Sequence, residues 1–170
     1  MSFDAARAQY RPPQINILFV AESPPRAGSN RFFYFENVER GDSLFVEMMK
    51  ALYPLDVPPT PLLRRRKAEF LTRFQSDGYY LIDASPTPIG DRTKKQAIKE
   101  GLPSLAAAIR ELSDEATRVV LLTATVYEVA LPYLKARDIQ VANSEMINFP
   151  GSGQQHEFHR KLAAILAKLR

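Results

Sequence analysis

The chain has no cysteine and only two histidines in its 170 residues. Without cysteine there is no disulfide framework and no zinc–cysteine site. His156 and His159 are too few for a multi-histidine metal centre, and lying three apart they read as surface residues of a helix. Neither metal nor cofactor is expected. Long apolar runs are missing too: none approaches the roughly 18 residues of a membrane span, and the N-terminus lacks the apolar core of a signal peptide. A cytoplasmic protein without membrane contact is the expectation. Several glycine signatures are likewise missing. No Gly-x-Gly-x-x-Gly follows a strand, no Gly-Lys-Ser/Thr phosphate loop occurs, and no Gly-x-Ser-x-Gly elbow is present.

What is present is ordinary for a folded domain: 45% hydrophobic and 25% charged residues, with a formal charge of +4. The length suits one domain over residues 1–170, with a monomer expected and no internal repeat or linker. The mild basic balance is compatible with a polyanionic partner without identifying one.

The most informative stretch is Ile15 to Pro25. Ile17–Val20 is continuously apolar and of strand length, the pattern of a strand buried on both faces. Polarity then switches at Glu22 and Ser23, and Pro24-Pro25 ends any regular structure. Before it, residues 1–14 have no clear period and read as a loosely held arm. After it, 22–41 is a long loop carrying Phe32, Phe33, Tyr34 and Phe35, and a loop of that length is usually functional when it is ordered.

A helix follows from Asp42 or Ser43 with Leu44, Phe45, Met48, Met49 and Leu52 on one face. Another starts at Thr60-Pro61 and closes at Asp77-Gly78, with Arg64, Arg65, Arg66 and Lys67 expected on its solvent side. Tyr79–Ala84 reads as a second strand, ending in the polar turn Asp83, Ser85, Pro86. A helical region from Thr93 is expected to break at Gly101-Leu102-Pro103. Val119–Leu122 reads as a third strand, followed by a helix with a Thr125/Glu128 capping box and a kink at Pro132. A weaker fourth strand spans 139–147, then Asn148 to Gly153 leads into a last amphipathic helix. The alternation predicts a three-layer α/β/α sandwich around a four-stranded parallel sheet. In such a sheet the corners at 21–25, 83–88 and 148–153 meet at one edge, where open α/β sheets hold their ligands.

These corners, in this order, resemble the motifs of the uracil-DNA glycosylase superfamily. Val20-Ala21-Glu22-Ser23-Pro24-Pro25 is similar to the Gly-Glu-Ala-Pro-Gly motif that follows the family's first strand. Phe32, Phe33 or Phe35 stands where a loop aromatic stacks on the extruded base. Asp83 occupies the place of an asparagine that reads the pyrimidine edge, and Phe149-Pro150-Gly151-Ser152 resembles the final His-Pro-Ser or Asn-Pro-Ser motif. The resemblance spans about 15–169, and its motifs are short. The departures are Ser23 where several branches carry a water-activating Asp or Asn, Asp83 for asparagine, and Phe149 for histidine or asparagine, unless Asn148 or His156 does its work.

The resemblance implies a metal-independent DNA glycosylase acting on a deaminated or damaged base that has been flipped from the stack. It implies catalytic roles for Glu22, which would stabilise an oxocarbenium-like sugar and orient water, and for Ser23. Phe32, Phe33, Asp83 and Asn148 would hold the base. Ser85, Gly151, Ser152, Gln154 and His156 would hold phosphates or fill the duplex gap, with single- or double-stranded DNA as the partner. A purely structural alternative stands beside each role: the proline-rich loop for Glu22, the core for the aromatics, an Asx-type turn for Asp83 and a helix start for Ser152. Two other readings are a nucleobase-, nucleotide- or single-strand-binding protein with little hydrolysis, and a small-molecule hydrolase or transferase on the same scaffold.

Overall fold

The computed structural model describes residues 1–151 and 153–169. In chain order its elements are α1 (Phe3–Gln9), β1 (Ile17–Ala21), α2 (Ser43–Leu52), α3 (Thr60–Arg65) and α4 (Lys67–Ser76). They continue with β2 (Tyr79–Asp83), α5 (Lys94–Leu112), β3 (Arg118–Leu121), α6 (Ala124–Lys135) and α7 (Gln155–Leu169). The fold is mixed α/β with a parallel sheet, and β1 lies at its centre in the order β2-β1-β3. All five residues of β1 are buried, as its unbroken apolar run requires. No helix among the described residues is long and apolar enough to cross a membrane.

The sheet has three strands among the described residues, not the expected four. The segment 139–147 runs beside β3 but pairs with it mainly through a side chain. Asn143 Oδ1 accepts from the Leu121 amide at 3.0 Å and its Nδ2 donates to the Leu121 carbonyl at 3.1 Å, while the Ala142 amide reaches the Val119 carbonyl. A carboxamide thus makes the two ladder bonds that a strand backbone would have made. The opposite edge is closed in the same manner. The Tyr34 hydroxyl accepts from the Leu81 amide at 2.7 Å and donates to the Leu81 carbonyl at 3.1 Å. The long loop after β1 is therefore anchored to β2 by a phenol.

Four other expectations change. Residues 1–14 are not a loose arm: Ser2 caps α1, Ala6 and Tyr10 are buried, and Phe3 packs on Phe32 at 4.8 Å between ring centroids. Gly101-Leu102-Pro103 does not break the helix, because α5 runs through it. The bond Pro103 cannot make would have gone to Lys99, an exposed residue whose carbonyl water can serve. Gly101 is needed because a Cβ there would run into the Ala84 carbonyl, so α5 lies directly against the corner after β2. The cap of α6 is Thr123 rather than Thr125. Finally, the basic run splits at Arg66, which separates α3 from α4, and Lys67 turns fully inward.

Candidate active site at the carboxyl edge of the sheet

Parallel pairing brings the strand ends together. Ala21 stands opposite Asp83 in the register, and the ladder continues beyond it, with the Ser85 amide bonded to the Glu22 carbonyl at 2.9 Å. Leu122 bonds back to Val20, which delivers Thr123 to the same edge. The result is a hollow of ≈ 600 Å³ whose lining includes Glu22, Ser23, Asp83, Thr123, Phe149 and the walls formed by Phe32 and Phe33. That size accommodates a small organic ligand. Another hollow, ≈ 690 Å³, lies between α1 and the long loop. Its carboxylate, Glu36, accepts from Tyr10 at 2.6 Å and from Gln9 at 2.9 Å, both on Oε1.

Each carboxylate at the strand ends has a cation. Glu22 Oε2 lies 2.9 Å from Lys94 Nζ at the head of α5. Asp83 Oδ2 accepts from Arg7 Nη2 of α1 at 2.7 Å, and its side chain is only 5% exposed. Burial pushes the Asp83 carboxyl up to about 6, against the pull of the Arg7 guanidinium. Arg7 also lies over the Phe32 ring, 5.4 Å from its centroid. Two arginines, Arg26 and Arg31, reach the hollow from the loop as exposed residues.

No family model matches the chain, and no curated protein does.

Thr123 has φ 77° and ψ 146°, a region that glycine favours and a β-branched residue strongly avoids. It is buried, it borders the hollow, and its side chain accepts from the Val126 amide at the start of α6. Backbone strain of this kind costs about 1–3 kcal/mol and gathers at functional sites.

The residues singled out in the sequence divide into two groups. Glu22, Ser23, Phe32, Phe33 and Asp83 share the hollow, joined there by Phe149. Phe32 and Phe33 are nevertheless 2% and 5% exposed and bound into one ring cluster through Tyr34, Phe33 also against Phe45 and Phe74 and Phe32 also against Phe3 and Phe35. They form walls, with no freely swinging ring. Phe149, at 41% exposed and with Lys94 Nζ 5.6 Å from its ring centroid, is the more available aromatic face.

The second group lies outside the lining. Ser85 is fully buried and donates its hydroxyl proton to the Thr87 carbonyl at 2.8 Å, a bond within the turn. Asn148 Oδ1 accepts from Lys161 at 3.1 Å, and Gly151 lies under the Phe149 ring. Gln154 and His156 are exposed at the start of α7 and do not border the hollow. Ser152 lies outside the described residues.

Sequence reading missed Arg7, Thr123 and Lys94. Arg7 had a legible signal, since Ser2 is a good cap and Phe3, Ala6 and Tyr10 recur at helical spacing. The backbone of Thr123 leaves no mark in composition. Among the described residues no three His, Asp or Glu side chains stand together so as to hold a metal ion.

Proposed function

We propose that the hollow at the carboxyl edge of the sheet binds a nucleobase and that the protein is a glycosidic-bond hydrolase of the uracil-DNA glycosylase type. One observation carries this reading: two carboxylates from adjacent parallel strands, Glu22 and Asp83, open onto one aromatic-walled cavity of ≈ 600 Å³. A flat ring needs apolar faces and an edge-reading polar group, which Phe149 or the Phe32–Phe33 wall and Asp83 supply. Glu22, with Oε2 on Lys94, has its other oxygen to orient water and to stabilise the positive charge developing on the sugar. Arg26 and Arg31 supply positive charge at the rim for a phosphate backbone.

The test uses oligonucleotides containing uracil, hypoxanthine, xanthine or a mismatch, incubated with the protein and then treated with alkali. Scission at the modified base is expected. Glu22→Gln is expected to lower its rate by a factor of roughly 10² or more, the usual contribution of a positioned acid or base. Absence of scission with every substrate removes the hydrolase.

A second reading, a nucleobase- or nucleotide-binding protein without hydrolysis, is favoured by the ion pair between Glu22 and Lys94. The Lys94 ammonium occupies one of the two carboxylate oxygens that would orient water. Binding of single-stranded DNA that weakens steeply with salt, without cleavage, supports this alternative.

A further inference from the structure

Asp83 carries more information than its position at a strand end. Its Oδ2 is committed to Arg7 at 2.7 Å, whereas no donor among the described residues reaches Oδ1, and the residue borders the hollow. With a carboxyl pushed up to about 6, the group is still ionised at pH 7.5 and offers acceptor positions alone. Arg7 shows what this environment accommodates. Its planar guanidinium meets the carboxylate through Nη2, with Nη1 turned to Asp4 at 3.0 Å, while lying 5.4 Å from the centroid of the Phe32 ring.

We infer that the hollow selects guanine-type bases over uracil through the acceptor-only edge of Asp83. Guanine presents N1–H and the N2 amino group as adjacent donors on a guanidine-like N–C–N unit. Uracil presents one N3–H flanked by two carbonyl oxygens, both of which a carboxylate repels. Hypoxanthine keeps N1–H and lacks the amino group; cytosine has an amino group beside an acceptor nitrogen. The expected order is guanine first, hypoxanthine and cytosine between, and uracil last. This inference rests on the nucleobase reading above and narrows its substrate class.

Calorimetric titration of the whole chain at pH 7.5 tests it, with the 5′-monophosphates of deoxyguanosine, deoxyinosine, deoxycytidine and deoxyuridine and with inorganic phosphate. The sugar phosphate is common, so differences among the nucleotides report the base. Deoxyguanosine monophosphate is expected to bind roughly tenfold or more tighter than deoxyuridine monophosphate, the worth of one charge-assisted hydrogen bond. Asp83→Asn, whose carboxamide both donates and accepts, is expected to weaken the guanine nucleotide and strengthen the uracil one. Deoxyuridine monophosphate binding the unmodified protein as tightly as the guanine nucleotide overturns the inference and leaves a nucleobase site standing. Nucleotides binding no better than inorganic phosphate overturn that site as well. If circular dichroism shows that Asp83→Asn does not fold, the ranking on the unmodified protein decides.

Discussion

Two aspartates with buried side chains, Asp83 and Asp42, border the same hollow and have opposite surroundings. Asp42 has both oxygens taken, Oδ1 by Arg64 at 2.8 Å and Oδ2 by Lys67 at 3.3 Å, and its side chain is completely buried. Lys67 is equally buried, lies 4.4 Å from the centroid of the Phe45 ring, and donates to the Phe32 carbonyl at 3.4 Å. Asp83 has one oxygen taken and one left over. The comparison separates a carboxylate spent on architecture from one kept for a ligand. Burial alone does not distinguish them; the number of uncommitted acceptor positions does.

The largest expected effect breaks the closed member. Asp42→Ala leaves the Lys67 ammonium buried without its partner, and a loss of about 3–5 kcal/mol is expected by urea denaturation. The double variant Asp42→Asn/Lys67→Met should recover much of that loss, because it removes the buried charges together. Asp83→Asn, by contrast, is expected to change stability by less than about 1.5 kcal/mol while altering ligand preference. An equal loss at both positions would erase the distinction.

A pH dependence sharpens it further. The folded Asp83 carboxyl titrates near 6, above its ordinary value, so the folded chain holds the proton where the unfolded chain has released it. Its contribution to stability is therefore greatest at low pH and falls as pH rises toward about 6. Lys67 is lowered to about 8 by desolvation, opposed by Asp42. The unfolded chain then binds more protons above that value, and the Lys67 contribution rises with pH from about 8 toward the ordinary lysine range. Denaturation of Asp83→Asn between pH 4 and 6, and of Lys67→Met between pH 8 and 10, should flatten the respective slopes relative to the parent.

The smallest effect belongs to Phe149, which is 41% exposed. Phe149→Ala should cost less than about 1 kcal/mol in urea, since little apolar area is lost from the core. If the ring covers a bound base, the same change weakens nucleotide binding by roughly five- to tenfold in calorimetry.

The parallel strands and their order along the chain were legible because β1, β2 and β3 are short apolar runs that each end in a sharp change of polarity. The same change of polarity placed Glu22 and Asp83 at one edge. What was not legible depended on side chains replacing backbone. The stretch 139–147 has strand-forming residues, yet Asn143 supplies the bonds that a fourth strand would have made. The basic run after Leu63 looked like a solvated face, and only the tertiary partner Asp42 reveals why Lys67 turns inward. The bond of the Ser85 hydroxyl to the Thr87 carbonyl is likewise a turn contact that spacing alone does not announce.

Tyr34 and Asn143 also bear on how this molecule behaves in a crowded solution. An uncovered strand flank is a template on which another chain can add, and short sheets are vulnerable to it. Here a polar side chain borrowed from a loop covers part of each flank, so Tyr34→Phe or Asn143→Ala would unmask a single amide–carbonyl pair. Self-association on storage, more than loss of the fold, is the failure such variants invite.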